Sequence, residues 1–272
     1  MSERMDALVS HIRTHRCYRH PVFDNWVKAD PSPEVVGALF HQIQSFCAST
    51  RPGWNLPTAL AEHGLHQESG LLQEIVESEE EHGPQLATMA GHIVNRSAGT
   101  AVCQDLDDTD AVEAKLKQLS DQIMGRLPGY QPDTGLAVQT RRAIQVFERR
   151  KLTDRESTLR NLGTALALEM VSNNHLIPGE KRALVDSGLY GVSMEEGEMH
   201  YLVEHYGEIG AEQQHEKNAI VAVDAVLDEE TEPMIRAGAD EFLNSLENFW
   251  DLLDSALLRS GYPSEAPRLA VA

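Results

Sequence analysis

Apolar residues recur along this chain at three- and four-residue intervals, the period of helices with one buried face. No stretch alternates every second residue as a half-buried strand would. Residues 1–15 fit a short helix with Met5, Leu8, Val9 and Ile12 inward, and after a turn at His20-Pro21 the side chains of Phe23 and Trp26 form an aromatic anchor. Pro31-Ser32-Pro33-Glu34 is a strong helix start, with Ser32 as N-cap, proline at the first position and an acid in the first turn. That helix reads to about Ala48, with Val36, Leu39, Phe40, Ile43, Phe46 and Cys47 inward and His41 on the solvent side. Arg51-Pro52-Gly53 ends it, residues 56–63 form a short helix, and Gly64 and Gly70 bracket a linker. Residues 71–95 read as one helix kinked at Gly83-Pro84, just after His82. A loop-like acidic stretch, a helix over 111–126 and a turn-rich link follow. Further helices are expected over 136–150, 157–173 (closed by Ile177-Pro178-Gly179), 182–189, 199–226 and 232–260. The expected fold class is all-α.

Some positions in these apolar stripes are not apolar. In 199–226, an unbroken apolar rhythm runs past Gly207 and Gly210, and His205, Glu208, Glu212 and His215 lie inside the stripe at steps of 3, 4 and 3. In 71–95, Glu79 and His82 fall within the buried sector; Glu77, Glu80 and Glu81 point away, and Glu74 and His92 lie at its edge. In 157–173, Glu169 stands where leucine is expected. Burying such groups uncompensated costs several kcal/mol each. One compensation suits all of them: a metal ion, since imidazole and carboxylate are good ligands for iron or manganese. The plainer reading is surface salt links on partly wet helices, and a lone Glu-x-x-His pair arises often by chance. Three separate helices each donating inward acids or imidazoles favour a dinuclear site, whose usual complement is this one.

Composition narrows the class. A chain of 272 residues, 41% hydrophobic, can bury a substantial core as a single helical domain over 1–272. A net charge of −20 argues against nucleic acid and anionic membrane as partners. Three widely spaced cysteines, with no apolar signal core and no membrane span, fit a cytoplasmic protein. Asp105, Asp107, Asp108 and Asp110 lack the glycine and terminal glutamate of a calcium loop. Arg141, Arg142, Arg149 and Arg150 are read as balancing the acidic surface.

The order of these elements resembles the haem-oxygenase-like diiron oxidases and oxygenases, relatives of the thiaminase-like proteins. The similarity lies in His20-Pro21, the helix after Ser32-Pro33, the glutamate-rich helix with its histidine, the isolated mid-helix Glu169 and the late helix with His, acid and His. It covers roughly residues 20–95 and 157–260, so 96–135 looks like an acidic insertion, and 261–272 a flexible tail. The resemblance implies a bundle of about seven core helices, two iron ions (manganese as the substitute) and O2 as co-substrate. It further implies that Glu79, His82 and one of His205 and His215 hold one ion, and Glu169, Glu212 and the other histidine the second. Two departures stand out: Glu208 occupies the place of the family's first late histidine, with His205 one turn earlier, and His92 could replace His82.

The implied activity is oxidation of a small amine, amino acid or fatty-acid-like substrate by N-oxygenation, oxidative C–C cleavage or decarboxylation, of the kind found in specialised biosynthesis. A homodimer is left open. Three alternatives compete. A thiaminase-like hydrolase or cofactor-free enzyme would need a nucleophile, yet Cys47 sits on an apolar stripe and Cys17 near a basic terminus. A ferritin-like protein would need an inward glutamate on the first long helix, which offers none. The last is a metal-free helical interaction protein.

Overall fold

A computed structural model describes residues 1–50, 55–79, 82–206 and 211–260. The expected turn at Arg51-Pro52-Gly53, the tail 261–272 and the candidate ligand Glu208 lie outside the described residues. The structure is helical throughout, and among the described residues the one β-type pairing is an isolated bridge between Gln131 and Leu136.

The described residues form thirteen α-helices: α1 (Glu3–Thr14), α2 (Val22–Ala29), α3 (Pro33–Thr50), α4 (Asn55–Glu62), α5 (His66–Ser78), α6 (His82–Ala98), α7 (Thr109–Met124), α8 (Val138–Gln145), α9 (Arg155–Val171), α10 (Ile177–Lys181), α11 (His200–His205), α12 (Ala211–Val226) and α13 (Glu232–Ser260). The long α13 lies along α9, and the two backbones meet at glycines: a Cβ on Gly163 would overlap the Ile235 carbonyl, and one on Gly238 the Arg160 carbonyl. Helix α3 packs on α6 and α7, while α12 packs on α5 and α9. The acidic segment is thus part of the packing: Val112, Leu116, Leu119 and Met124 of α7 join the same hydrophobic cluster as side chains from α1 through α13.

Four local expectations are corrected. The residues read as one helix over 71–95 form two, broken before His82 rather than just after it at Gly83-Pro84, because Glu79 caps α5. Pro84 then sits in the first turn of α6, where a helix has no use for its missing N–H. The 199–226 helix is also two: α11 ends with Tyr206 in extended backbone (φ −97°, ψ 136°). Gly207 and Gly210, which come next in the sequence, are each about 1 kcal/mol poorer than alanine as helix formers. Conversely, Ile177-Pro178-Gly179 does not end α9. A wide π turn over Ser172–Leu176, closed by Ile177 N–H bonding the Ser172 carbonyl, carries the chain through Pro178 into α10 and a second π turn over Arg182–Asp186. Finally, His41 is buried, its Nε2 2.9 Å from the Thr134 carbonyl oxygen.

The arginines divide as well. Arg149 and Arg160 pair with Glu241 on the surface, but Arg150 is buried and donates to the Ser49 and Thr50 carbonyls at the end of α3. No described helix is long and apolar enough to cross a membrane.

Candidate metal centre

The break between α5 and α6 places Glu79 at the C-cap of one helix and His82 at the start of the next, so both side chains enter the space that α9, α11 and α12 enclose. Two sets of donors form there: Glu79, His82 and His205, and Glu79, Glu212 and His215, with the ligand atoms of each set all within 4.8 Å of one another. Glu169 of α9 joins the second, its Oε2 3.6 Å from His215 Nδ1. Glu79 is common to both: Oε2 meets His82 Nδ1 at 2.8 Å, and Oε1 lies 3.5 Å from His215 Nδ1 and 3.9 Å from His205 Nε2. Six of the seven candidate ligands are therefore together, and the seventh is Glu208. His92 is elsewhere, with its Nε2 2.9 Å from Glu196 Oε2, so His82 is the α6 histidine in the cluster.

The imidazoles are oriented by their outer nitrogens. His205 Nδ1 lies 2.6 Å from the Tyr201 carbonyl, which can only accept, so Nδ1 carries the proton and Nε2 presents a lone pair toward Glu79 and Glu212. Ser78 Oγ donates to the Ile75 carbonyl and accepts from His215 Nε2 at 2.6 Å, which turns the His215 Nδ1 lone pair toward two carboxylates. A lone pair facing carboxylate oxygens is stable only with a cation between them, either a proton or a metal. His215 Nδ1 and Glu212 Oε2 are both buried without a hydrogen-bond partner.

Protonation follows the same geometry. Burial pushes His205 down to about 4, despite the nearby Glu79. Burial also acts to lower His215, but Glu169 and Glu79 outweigh it and raise the imidazole. Burial, then the charges of Glu169, Glu79, Glu180 and Glu216, push Glu212 well above the carboxylate range. Glu79 goes the other way: burial would raise it, yet the hydrogen bond from His82 and the three imidazoles hold it low. The shared carboxylate thus stays ionised while Glu212 holds its proton more tightly.

Two donors each about 2.1 Å from one ion stand roughly 3–4 Å apart, and the gaps of 3.5–3.9 Å across the cluster have that size. These His and Glu groups could hold metal ions, and a set of nitrogen and carboxylate donors suits iron, manganese or zinc.

Beside the cluster lies a cavity with about 710 Å³ of non-atom space, its solvent-open part included, walled by Phe46, Leu86, Leu168 and Ile177 among others. Two nearby acids escaped the sequence reading. Glu204 Oε2 is 3.5 Å from His82 Nε2, while its other oxygen pairs with His200 at 2.9 Å. Glu180, on α10, is 3% exposed with Oε2 unpartnered, and burial pushes it up to about 8. Its signal was hidden behind Pro178. No protein-family model matches the chain, and no curated protein matches it.

Proposed function

We propose that the protein is a non-haem diiron oxidase or oxygenase with a haem-oxygenase-like bundle. It would act on a small amine, amino acid or fatty-acid-like molecule by N-oxygenation, oxidative C–C cleavage or decarboxylation. The observation that carries this reading is the pair of buried donor sets sharing Glu79, with His215 Nδ1 and Glu212 Oε2 left without partners. Glu79, His82 and His205 would hold one ion, and Glu79, Glu169, Glu212 and His215 the other. Iron so held supplies one-electron chemistry and a place for O2, which no side chain here offers.

The chain's own contribution is positioning and exclusion. The Tyr201 carbonyl and Ser78 hydroxyl fix the two imidazoles, so the lone pairs need no reorganisation when a cation enters. Phe46, Leu86, Leu168 and Ile177 give the cavity side an apolar lining that would lower the water content around the reacting groups. Burial and nearby acids raise the Tyr201 phenol well above its ordinary value, so Oη holds its proton throughout the working pH range.

Oxygen uptake tests the reading. Reduced iron-loaded protein should consume O2 with at least one member of a panel of amines, amino acids and fatty acids. Uptake no greater than that of Glu79→Ala with every member removes the proposal. The thiaminase-like alternative keeps one observation of its own, since Cys47 lines the same cavity. Under that alternative, turnover is shown by metal-free protein and ends in Cys47→Ser.

A further inference from the structure

The cavity wall formed by α3 and α7 carries polar groups that the metal cluster does not use. Gln44 Nε2 donates to Glu113 Oε1 at 2.7 Å. A carboxylate only accepts, so this bond fixes which way the amide faces: Oε1 is the other atom. That oxygen is buried with no hydrogen-bond partner, on a side chain only 7% exposed, and both Gln44 and Glu113 line the cavity. Leaving a buried acceptor unmet costs about 1–3 kcal/mol.

The ligand that meets it must be a donor, and the surrounding charge says which kind. Of the acids that line the cavity, Glu79, Glu169 and Glu212 belong to the metal donor sets, which leaves Glu113 as the charge at this wall, and no lysine or arginine is among the described lining residues. Among the described residues of this wall a carboxylate or phosphate would find neither a counter-charge nor a free donor. An alcohol would satisfy Gln44 Oε1 but gain nothing from the Glu113 charge. A primary ammonium has three N–H donors and no acceptor, enough for Gln44 Oε1 and the Glu113 carboxylate together. Phe46, Leu86, Leu168 and Ile177 offer the apolar lining for a hydrocarbon stem.

We infer that the cavity selects an organic cation, an alkylammonium whose nitrogen is held by Gln44 Oε1 and Glu113. As a substrate class, this rests on the oxidase reading and narrows it to amines, fatty acids being excluded. As a recognition site, it stands on its own geometry.

Calorimetric titration of the full-length protein as purified, with n-pentylamine, 1-pentanol and pentanoate as probes, tests it. Pentylamine should bind at least about tenfold more tightly than either of the others. Glu113→Gln should weaken pentylamine about tenfold and leave pentanol unchanged, the size expected for losing one charge-assisted bond. Glu113 is exposed, so this variant keeps the fold, and circular dichroism checks Gln44→Leu, which should show the same loss. Pentanoate binding as well as pentylamine, or pentylamine affinity untouched by Glu113→Gln, overturns the inference. Metal content of the same samples separates the two claims. Metal without amine preference defeats this one alone, and amine preference without metal defeats the diiron reading alone.

Discussion

Replacing Glu180 by glutamine should stabilise the metal-free protein at neutral pH and flatten part of its pH dependence. Glu180 is 3% exposed on α10, one oxygen has no partner, and burial raises its carboxyl from 4.5 to about 8. An acid with a raised folded-state pKa keeps its proton in the native protein and loses it on unfolding. Its contribution is whole below 4.5 and is lost as pH climbs toward 8, so the native state weakens across that window. Each pH unit is worth about 1.4 kcal/mol, so the cost accumulated from 4.5 to neutrality is about 3 kcal/mol. Glutamine has nearly the same shape and no such cost. Urea unfolding of EDTA-treated wild type and Glu180→Gln at pH 5, 7 and 8.5 measures it. Glu212 pushes in the same direction, so the difference between the two proteins isolates Glu180, not the slope of either. The variant should be close to wild type at pH 5 and about 3 kcal/mol more stable at pH 7. A difference that stays constant across the three pH values would refute the reasoning.

Other predictions test the cluster and the frame around it. Glu79→Ala should lose both metal ions, because Glu79 belongs to both donor sets, whereas His82→Ala should retain one; elemental analysis of the two purified variants distinguishes these outcomes. Gly163→Ala or Gly238→Ala drives a methyl into a facing backbone carbonyl, and should cost about 1–3 kcal/mol in chemical unfolding. Tyr190→Phe removes the acceptor 2.6 Å from the Trp26 indole N–H in the core, leaving a buried donor unmet at about 1–3 kcal/mol in the same assay.

The parts of the fold legible in the sequence were those where local and tertiary signals agree. The Ser32-Pro33 start of α3, the Met5-Leu8-Ile12 stripe of α1 and the long stripe of α13 all have one apolar face and a clear end. Breaks inside a continuing apolar period were not legible. The chain turns at Glu79 and at Tyr206 while its hydrophobic positions still keep a helical beat, because facing helices on both sides demand apolar contacts there. Pro178 misled in the opposite sense. A π turn widens the helix ahead of the ring, so proline is passed rather than obeyed, and Glu180 came into the interior unannounced.

His41 shows a third limit. Projection onto one stripe assumes a helix with a wet side, but every residue from Val35 to Gln44 is buried. The same crowding surrounds α9, where Asn161 and Thr164 are buried beside Glu169. The convergence of these side chains was better foreshadowed than the helices that carry them. A buried acid or imidazole is expensive wherever the helix ends fall, so its partners had to be near one another.

Anaerobic titration of EDTA-treated protein with ferrous iron, followed by gel filtration and elemental analysis, tests the central claim most directly. Two ions per chain, held through the column, are predicted from the two donor sets that meet at Glu79. Protein that emerges with no more than trace iron, and that takes up no manganese in its place, contradicts the account.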